Sequence, residues 1–580
     1  MASLRGKKLK DTYSGLYHVE RLSLTSKLTQ GDDAATLIAS GDYPIGYNNN
    51  ATGSNAAAFG VSNLATAAGS TALGSNNKAT GNYSASVGYG NTASTNYCSA
   101  FGYLNNVTGY GASAFGYKNS VSKGASAFGY TSRASGFNSL AVGFKDETFF
   151  DNSAAVGYQN FASGVNSTAV GKSNRVEASN SIAIGKDNTS SAANTCSIGE
   201  SNSASASKAN AFGYANFSQN TQGVAFGFQN RALGVNCVAV GYENDAGAGT
   251  KASAFGYNNI AVGNKSSSFG YLNRTTGANA SSIGYNNKTS AAESSAFGNS
   301  NTTKSESSNA FGFENVASGN FSSAIGVQNT THGTHDNALG NNNVASGSRS
   351  TAVGYANSTY FNDSVAFGST NSASGQSSVS VGYSNDVDLP TGIALGVSNS
   401  VIAALGGGGD EQGGIAIGRQ NISKAGTVVG LANTGGLLST VVGTLNSGHQ
   451  GATAVGNVNN ASGVNSVAVG YYNIASAASA SSFGHGAFTS VADTVEVGKW
   501  NTATRAREGG VRIHDNGMVA FTLQDRTGRY GDGGAIHGSE ADNTLPREAY
   551  SIRRNGNSII LDVNIGGEVK KVILGTATDD

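Results

Sequence analysis

The chain has 580 residues, of which 82 are glycine, 3 proline and 3 cysteine, and its 35 lysines and arginines are matched by 35 aspartates and glutamates. This balance gives no electrostatic case for nucleic-acid binding, and an odd cysteine count points to free thiols (Cys98, Cys196, Cys237) rather than a disulfide framework. No apolar run reaches the ~18 residues of a membrane-spanning helix, and the opening residues lack the apolar core of a signal peptide, so no membrane insertion is expected.

Residues 1–43 read as an N-terminal attachment or cap segment. A short helix around 12–28 is compatible with the pattern. The basic cluster Arg5, Lys7, Lys8 and Lys10 reads as a docking feature or a solvated end.

From 44 to 500 a glycine returns every 14 residues: Gly46, Gly60, Gly74, Gly88, Gly102, Gly116, then a slip of one to Gly129, then Gly143, Gly157, Gly171, Gly185 and on to Gly498. A repeat this short and constant predicts a solenoid, here of about 33 coils. The residue before the glycine is large and apolar, as at Phe101, Phe115, Ile184 and Val469. The one before that is small, as at Ala100 and Ala114. Alternate residues of a strand face opposite ways. The expectation is therefore that the large residue lies inside the coil and the small one faces outward against a close neighbour.

Three residues past the glycine sits asparagine: Asn105, Asn119, Asn188, Asn473 and many more, with exceptions at Ser132, Asp146 and Ala487. Asparagine tolerates left-handed backbone and bonds to nearby backbone groups, and in register it can build a ladder. The aromatic after the glycine (Tyr103, Tyr117, Tyr130) reads as a stacked ladder, with sugar-stacking platforms as the other reading. A second turn, often Ala-Ser-Gly as at Ala134–Gly136, closes each coil of two short strands. The repeat therefore rests on Phe101, Gly102, Asn105, Phe115, Gly116, Asn119, Ile184, Gly185, Asn188, Val469, Gly470 and Asn473. One large side chain per coil can hardly offset roughly 1–2 kcal/mol of backbone entropy per residue, so oligomerisation is expected.

The register breaks between Gly396 and Gly418, where the 406–414 insertion with Gly406–Gly409 enlarges one coil. It reads as a bend, a neutral insertion or a binding loop. Residues 501–580 gain charge and show strand-like runs at 518–523, 558–565 and 569–574. They read as a small β-rich C-terminal domain that caps the solenoid. The fold class is all-β.

The motif Asn180-Ser181-Ile182-Ala183-Ile184-Gly185, repeated as Asn465-Ser466-Val467-Ala468-Val469-Gly470, resembles the head repeat of YadA-like trimeric autotransporter adhesins. The resemblance covers about 44–500. It implies a left-handed parallel β-roll and a parallel homotrimer packed around a threefold axis. That family's secretion signal, heptad stalk and membrane β-barrel anchor are not expected here. The ends, Arg5–Tyr13, Val511–Val519 and Leu545–Gly556, resemble tailed-phage fibre and virion proteins.

Together these resemblances imply a phage virion tail fibre, attached through its N-terminal segment to other virion proteins and contacting a host cell-surface receptor such as a glycan. The alternative is a purely structural virion component such as a head fibre, collar whisker or decoration spike. No enzyme is expected, because no catalytic set, cofactor site or paired-carboxylate motif can be assembled from the sequence. His332, His335 and Asp336 form a short His-x-x-His-Asp run that reads as a surface turn rather than a metal site.

Overall fold

Each coil of the repeat is a five-residue strand and a two-residue strand joined by two tight turns. Ser113–Tyr117 followed by Ser120–Val121 is one example. The computed structural model describes residues 28–29, 34–37, 43–403, 413–501, 506–513, 519–522, 549–555, 558–565 and 568–576. Among these, every helix or strand is a strand. The expected helix around 12–28, except for Leu28 in a short strand, and Gly406–Gly409 lie outside the described residues.

The chain divides into two compact units, Met1–Asn286 and Asn287–Asp580. In the first, five-residue strands repeat from Tyr43–Tyr47 to Ser281–Tyr285. Each pairs in parallel with the strand of the next coil at equivalent positions, as in Ala100↔Ala114, Phe101↔Phe115 and Gly102↔Gly116. The two-residue strands stack likewise, Val107 on Val121. The second unit repeats the arrangement from Ser295–Asn299 to Val495–Asn501. The two units hold about 32 turns of roughly 14 residues, a parallel β-solenoid.

Coil length varies without loss of register. Gly396 pairs with Gly418 across the enlarged coil, and Gly418, Gly430 and Gly443 stay paired through shorter ones. The strands keep their phase while the number of residues between them changes, because the strand ladder fixes it.

At the end of the second unit the pairing changes sense. Val495–Asn501 pairs antiparallel with Ala506–Ile513, and Val519–Thr522, Ala549–Asn555, Ser558–Ile565 and Glu568–Thr576 continue the sheet. A parallel stack ends in an open strand edge, which proteins must cover; the antiparallel strands pair with it. Arg512 meets Glu496 at 2.8 Å there, both side chains largely buried. The strand-like runs read from the sequence fall on three of these strands.

The expected orientation of the long strand is reversed. The small residue lies inside: Ala100, Ala114 and Ala183 are fully buried. The large residue faces out: Phe101 and Phe115 are only partly covered, and Leu73, Phe226 and Phe367 are 45%, 54% and 53% exposed. The reason is space. The interior already holds the ladder asparagine and the Val107-type residue of the short strand, both buried. Close-packed interiors have little room for larger groups, so alanine or serine is the rule between the two walls; Val428 and Val441 are buried there in coils whose short strands carry Gly435 and Gly448.

The left-handed residue is also not the asparagine. It is the residue before it, as at Leu104 (φ 53°), Lys118 (φ 52°) and Asp187 (φ 55°). Asparagine is required for a different reason, given by its hydrogen bonds.

Candidate interaction face

The recurring glycine allows successive coils to approach. Gly185 has φ +118°, and a Cβ there would lie 2.0 Å from the Gly199 carbonyl oxygen. No other residue fits this backbone and this gap. The same constraint holds at Gly102, Gly116 and Gly470.

The buried asparagine then locks the turn. The Asn188 side-chain nitrogen donates to Asn174 Oδ1 at 2.9 Å, to the Ile184 carbonyl at 3.0 Å and to the Gly199 carbonyl at 2.6 Å. Its own Oδ1 accepts from the Asn202 backbone and side-chain amides. Asn105 and Asn473 make the same bonds. Asn119 bonds to Phe115 and Gly129 carbonyls. The ladder thus satisfies buried backbone acceptors that strand pairing leaves over.

With glycine and asparagine holding the backbone, the outward residues of the long strand line up at coil spacing. Phe101, Phe115 and Phe128 stack at 4.9 and 5.0 Å. Two residues along, Tyr103, Tyr117, Tyr130, Phe144 and Tyr158 stack at 4.6 to 5.0 Å with ring planes within 6°. Within the first unit a second run joins Tyr214 to Tyr285. The ladder reading of the tyrosines holds. The ring faces are turned to each other, so mainly edges meet solvent, and a sugar finds no free face within the run.

Large apolar side chains before the glycine therefore cover the outer side of the long strands, and beside them run aromatic stretches interrupted by residues such as Lys172, Lys186 and Glu200. In the first unit Ile184 holds the position of Phe101 and Phe115 in its own coil, and in the second unit Val469 holds the equivalent one.

One feature escaped the sequence reading. At the second turn Tyr83 and Tyr97 hold left-handed backbone, φ 56° and 58°, and stack at 5.4 Å, with Tyr110 edge-on to Tyr97. Tyr83 and Tyr110 are 62% and 65% exposed. The signal was an aromatic at a turn position where many other coils carry asparagine.

The His-x-x-His-Asp run does not converge on a ligand. Asp336 is buried, with Oδ2 accepting from the Gly333 amide at 2.6 Å and Oδ1 from the Ser350 amide and hydroxyl at 2.9 Å. His335 stacks on Phe321. Among the described residues, no three His, Cys, Asp or Glu side chains group as a metal site would require. Cys98 and Cys237 are free, buried thiols in the coil wall, and burial pushes the Cys196 and Cys237 thiols up, away from reactive thiolate.

The family model of the YadA head domain repeat matches residues 51–77, 65–91, 120–145, 151–174, 276–301, 306–329, 333–357, 362–385 and 450–473. These segments fall on coils of the solenoid in both units. The chain carries YadA head repeats. No curated protein matches it. A YadA-type coil here is thus a glycine-asparagine frame with an alanine-filled interior and a large apolar residue turned outward, an adhesin-like structural repeat.

Proposed function

We propose that the chain is an elongated homotrimeric phage fibre that attaches the virion to a host cell surface. The observation that carries the oligomer is the outward apolar position of the coils in each unit, with Leu73 and Phe226 in the first and Phe367 in the second about half exposed in one chain. Burying such a side chain contributes about 1.5–3 kcal/mol, and contiguous apolar surface of this kind marks an interaction site. A second and third copy of the same row cover it around a common axis, as the YadA head repeat implies. Three chains rather than two follow from that resemblance.

The shaft has no catalytic role in this reading. The N-terminal segment 1–43 docks to other virion proteins, and residues 501–580 form the tip. The resemblance of the two ends to phage fibre proteins supports placement on the virion, and the adhesin-like repeat supports attachment.

The test is adsorption competition. Purified full-length protein added to host cells before the phage should block adsorption in a saturable way, and removal of 501–580 should abolish the block. If cells neither bind the protein nor lose phage adsorption, the receptor reading fails and a structural virion fibre replaces it.

A further inference from the structure

The asparagine ladder is interrupted at two consecutive coils, and the second interruption is chemically incomplete. In a regular rung the side-chain nitrogen faces only acceptors. Asn160, for example, donates to the Val156 and Gly171 carbonyls at 3.0 and 2.8 Å. In the first unit Ser132 and Asp146 take the place of asparagine. Asp146 Oδ1 performs the acceptor half of the rung, receiving the Asn160 backbone and side-chain amides at 2.8 and 2.9 Å. Oδ2 stands where other rungs present nitrogen. It is fully buried and has no hydrogen-bond partner.

Ser132 does not relieve it. Its hydroxyl reaches the Gly143 carbonyl at 3.2 Å, and the Asp146 amide reaches that hydroxyl at 3.4 Å. The backbone registers the mismatch. Gly143 and Gly157, on either side of Asp146, have φ 133° and 130°, against 113–126° for the other ladder glycines from Gly46 to Gly470. Burial alone is not the cause, because Asp336 is equally buried and has donors on both oxygens.

We propose that Asp146 is a proton-bearing rung: Oδ2 carries a hydrogen taken from solvent and donates it to the Gly157 carbonyl, as the asparagine nitrogen does elsewhere to the glycine eleven residues on. Asp146 then makes the Gly143–Gly157 coil a point of the solenoid that acid strengthens and alkali loosens. Regular rungs hold the nitrogen 2.6–2.8 Å from that glycine oxygen, as at Asn188 and Asn160, which is the length of an O–H···O bond. A metal ion needs about 2.3–2.6 Å to each of several oxygens and would force the rung and the carbonyl further apart.

Burial pushes the Asp146 carboxyl above its ordinary 3.8; the Asn160 backbone and side-chain amides, and the Gly157 amide from outside hydrogen-bond geometry, pull it back without cancelling the rise. No charged group enters the roll beside it. Lys145 lies over the Phe144 ring and Arg133 over Phe149. Glu147 sits on the outward side of its strand, with Thr148 inward, and Asp151 accepts the Phe137 amide at the opposite turn. The following coil has no charged residue between Tyr158 and Lys172. Because the folded value is raised, the proton's contribution is complete below the free value of 3.8 and is lost as pH rises through the folded one.

The experiment uses full-length protein, wild type and Asp146→Asn, which restores the side chain most rungs already have. Hydrogen exchange of peptides covering 129–171 is followed across pH and corrected for the chemical exchange rate, with and without chelator, calcium and sodium. Wild-type protection should fall by up to about tenfold per pH unit above the folded value. Asp146→Asn should stay flat and better protected at alkaline pH, and peptides covering 199–241 should be the same in both proteins. An infrared band of a protonated carboxyl should be present in wild type and absent in Asp146→Asn. Identical pH profiles in the two proteins would overturn the proposal. Protection that follows added cation and vanishes in Asp146→Asn would overturn it in favour of a bound metal.

Discussion

A Cβ on Gly102 would sit 2.1 Å from the carbonyl oxygen of Gly116 one coil further on. With φ +120° as well, Gly102 cannot be replaced without moving two strands apart. Gly102→Ala should cost about 1–3 kcal/mol from backbone strain alone, with the clash added. Solenoid stability is local and nearest-neighbour. Hydrogen exchange should therefore lose protection over 88–130 and keep it over 199–241; uniform loss across both would refute this locality.

The ladder asparagines should respond differently from the outward residues. Asn188→Ala removes the donor to the Ile184 and Gly199 carbonyls and the acceptor of the Asn202 amide. Each buried group left alone costs about 1–3 kcal/mol. Limited proteolysis should open the 174–202 coils well before those around 230. Wild-type resistance in Asn188→Ala would mean that the ladder is ornamental.

Reversal of the strand faces gives a paired test at adjacent residues. Ala114→Leu inserts bulk into a filled interior and should destabilise the coil by about 1–3 kcal/mol. Phe115→Ser removes an outward group and should leave the single coil folded while weakening association between chains. Denaturation and sedimentation of the two variants separate the effects. The opposite assignment, with Phe115→Ser unfolding the coil, would restore the large residue to the inside.

The tyrosine run should matter for stability rather than for ligand binding. Each stacked pair, such as Tyr103 and Tyr117 at 4.9 Å, contributes about 0.5–1.5 kcal/mol. Substituting Tyr103, Tyr117 and Tyr130 by Ala should lower thermal stability and leave cell binding unchanged. A selective loss of binding at full stability would show that the edges are recognised.

Much of this was legible from spacing. The fourteen-residue glycine and the asparagine three residues later encode the coil, its two turns and its register, because the glycine meets a positive φ and a close approach and the asparagine bonds backbone carbonyls that strand pairing leaves over. Spacing could not say which face of Ala100–Phe101 is inside. Alternation yields two faces, and the usual rule that large apolar residues fill the core fails where the walls nearly touch. The left-handed residue was misplaced by one because Asn105 is chosen for its amide and not for its backbone. Asp146 was visible only as an exception to a pattern. Its missing partner required the ladder geometry.

The most direct test of the account is the native mass of the full-length protein, measured by sedimentation equilibrium at neutral pH. An outward apolar row shared by three copies predicts a mass three times that of the 58.2 kDa chain, falling toward one chain when outward phenylalanines such as Phe101, Phe115 and Phe226 are changed to serine. A stable, soluble monomer of the unaltered protein would contradict the account, because the exposed row would then have nothing to cover it.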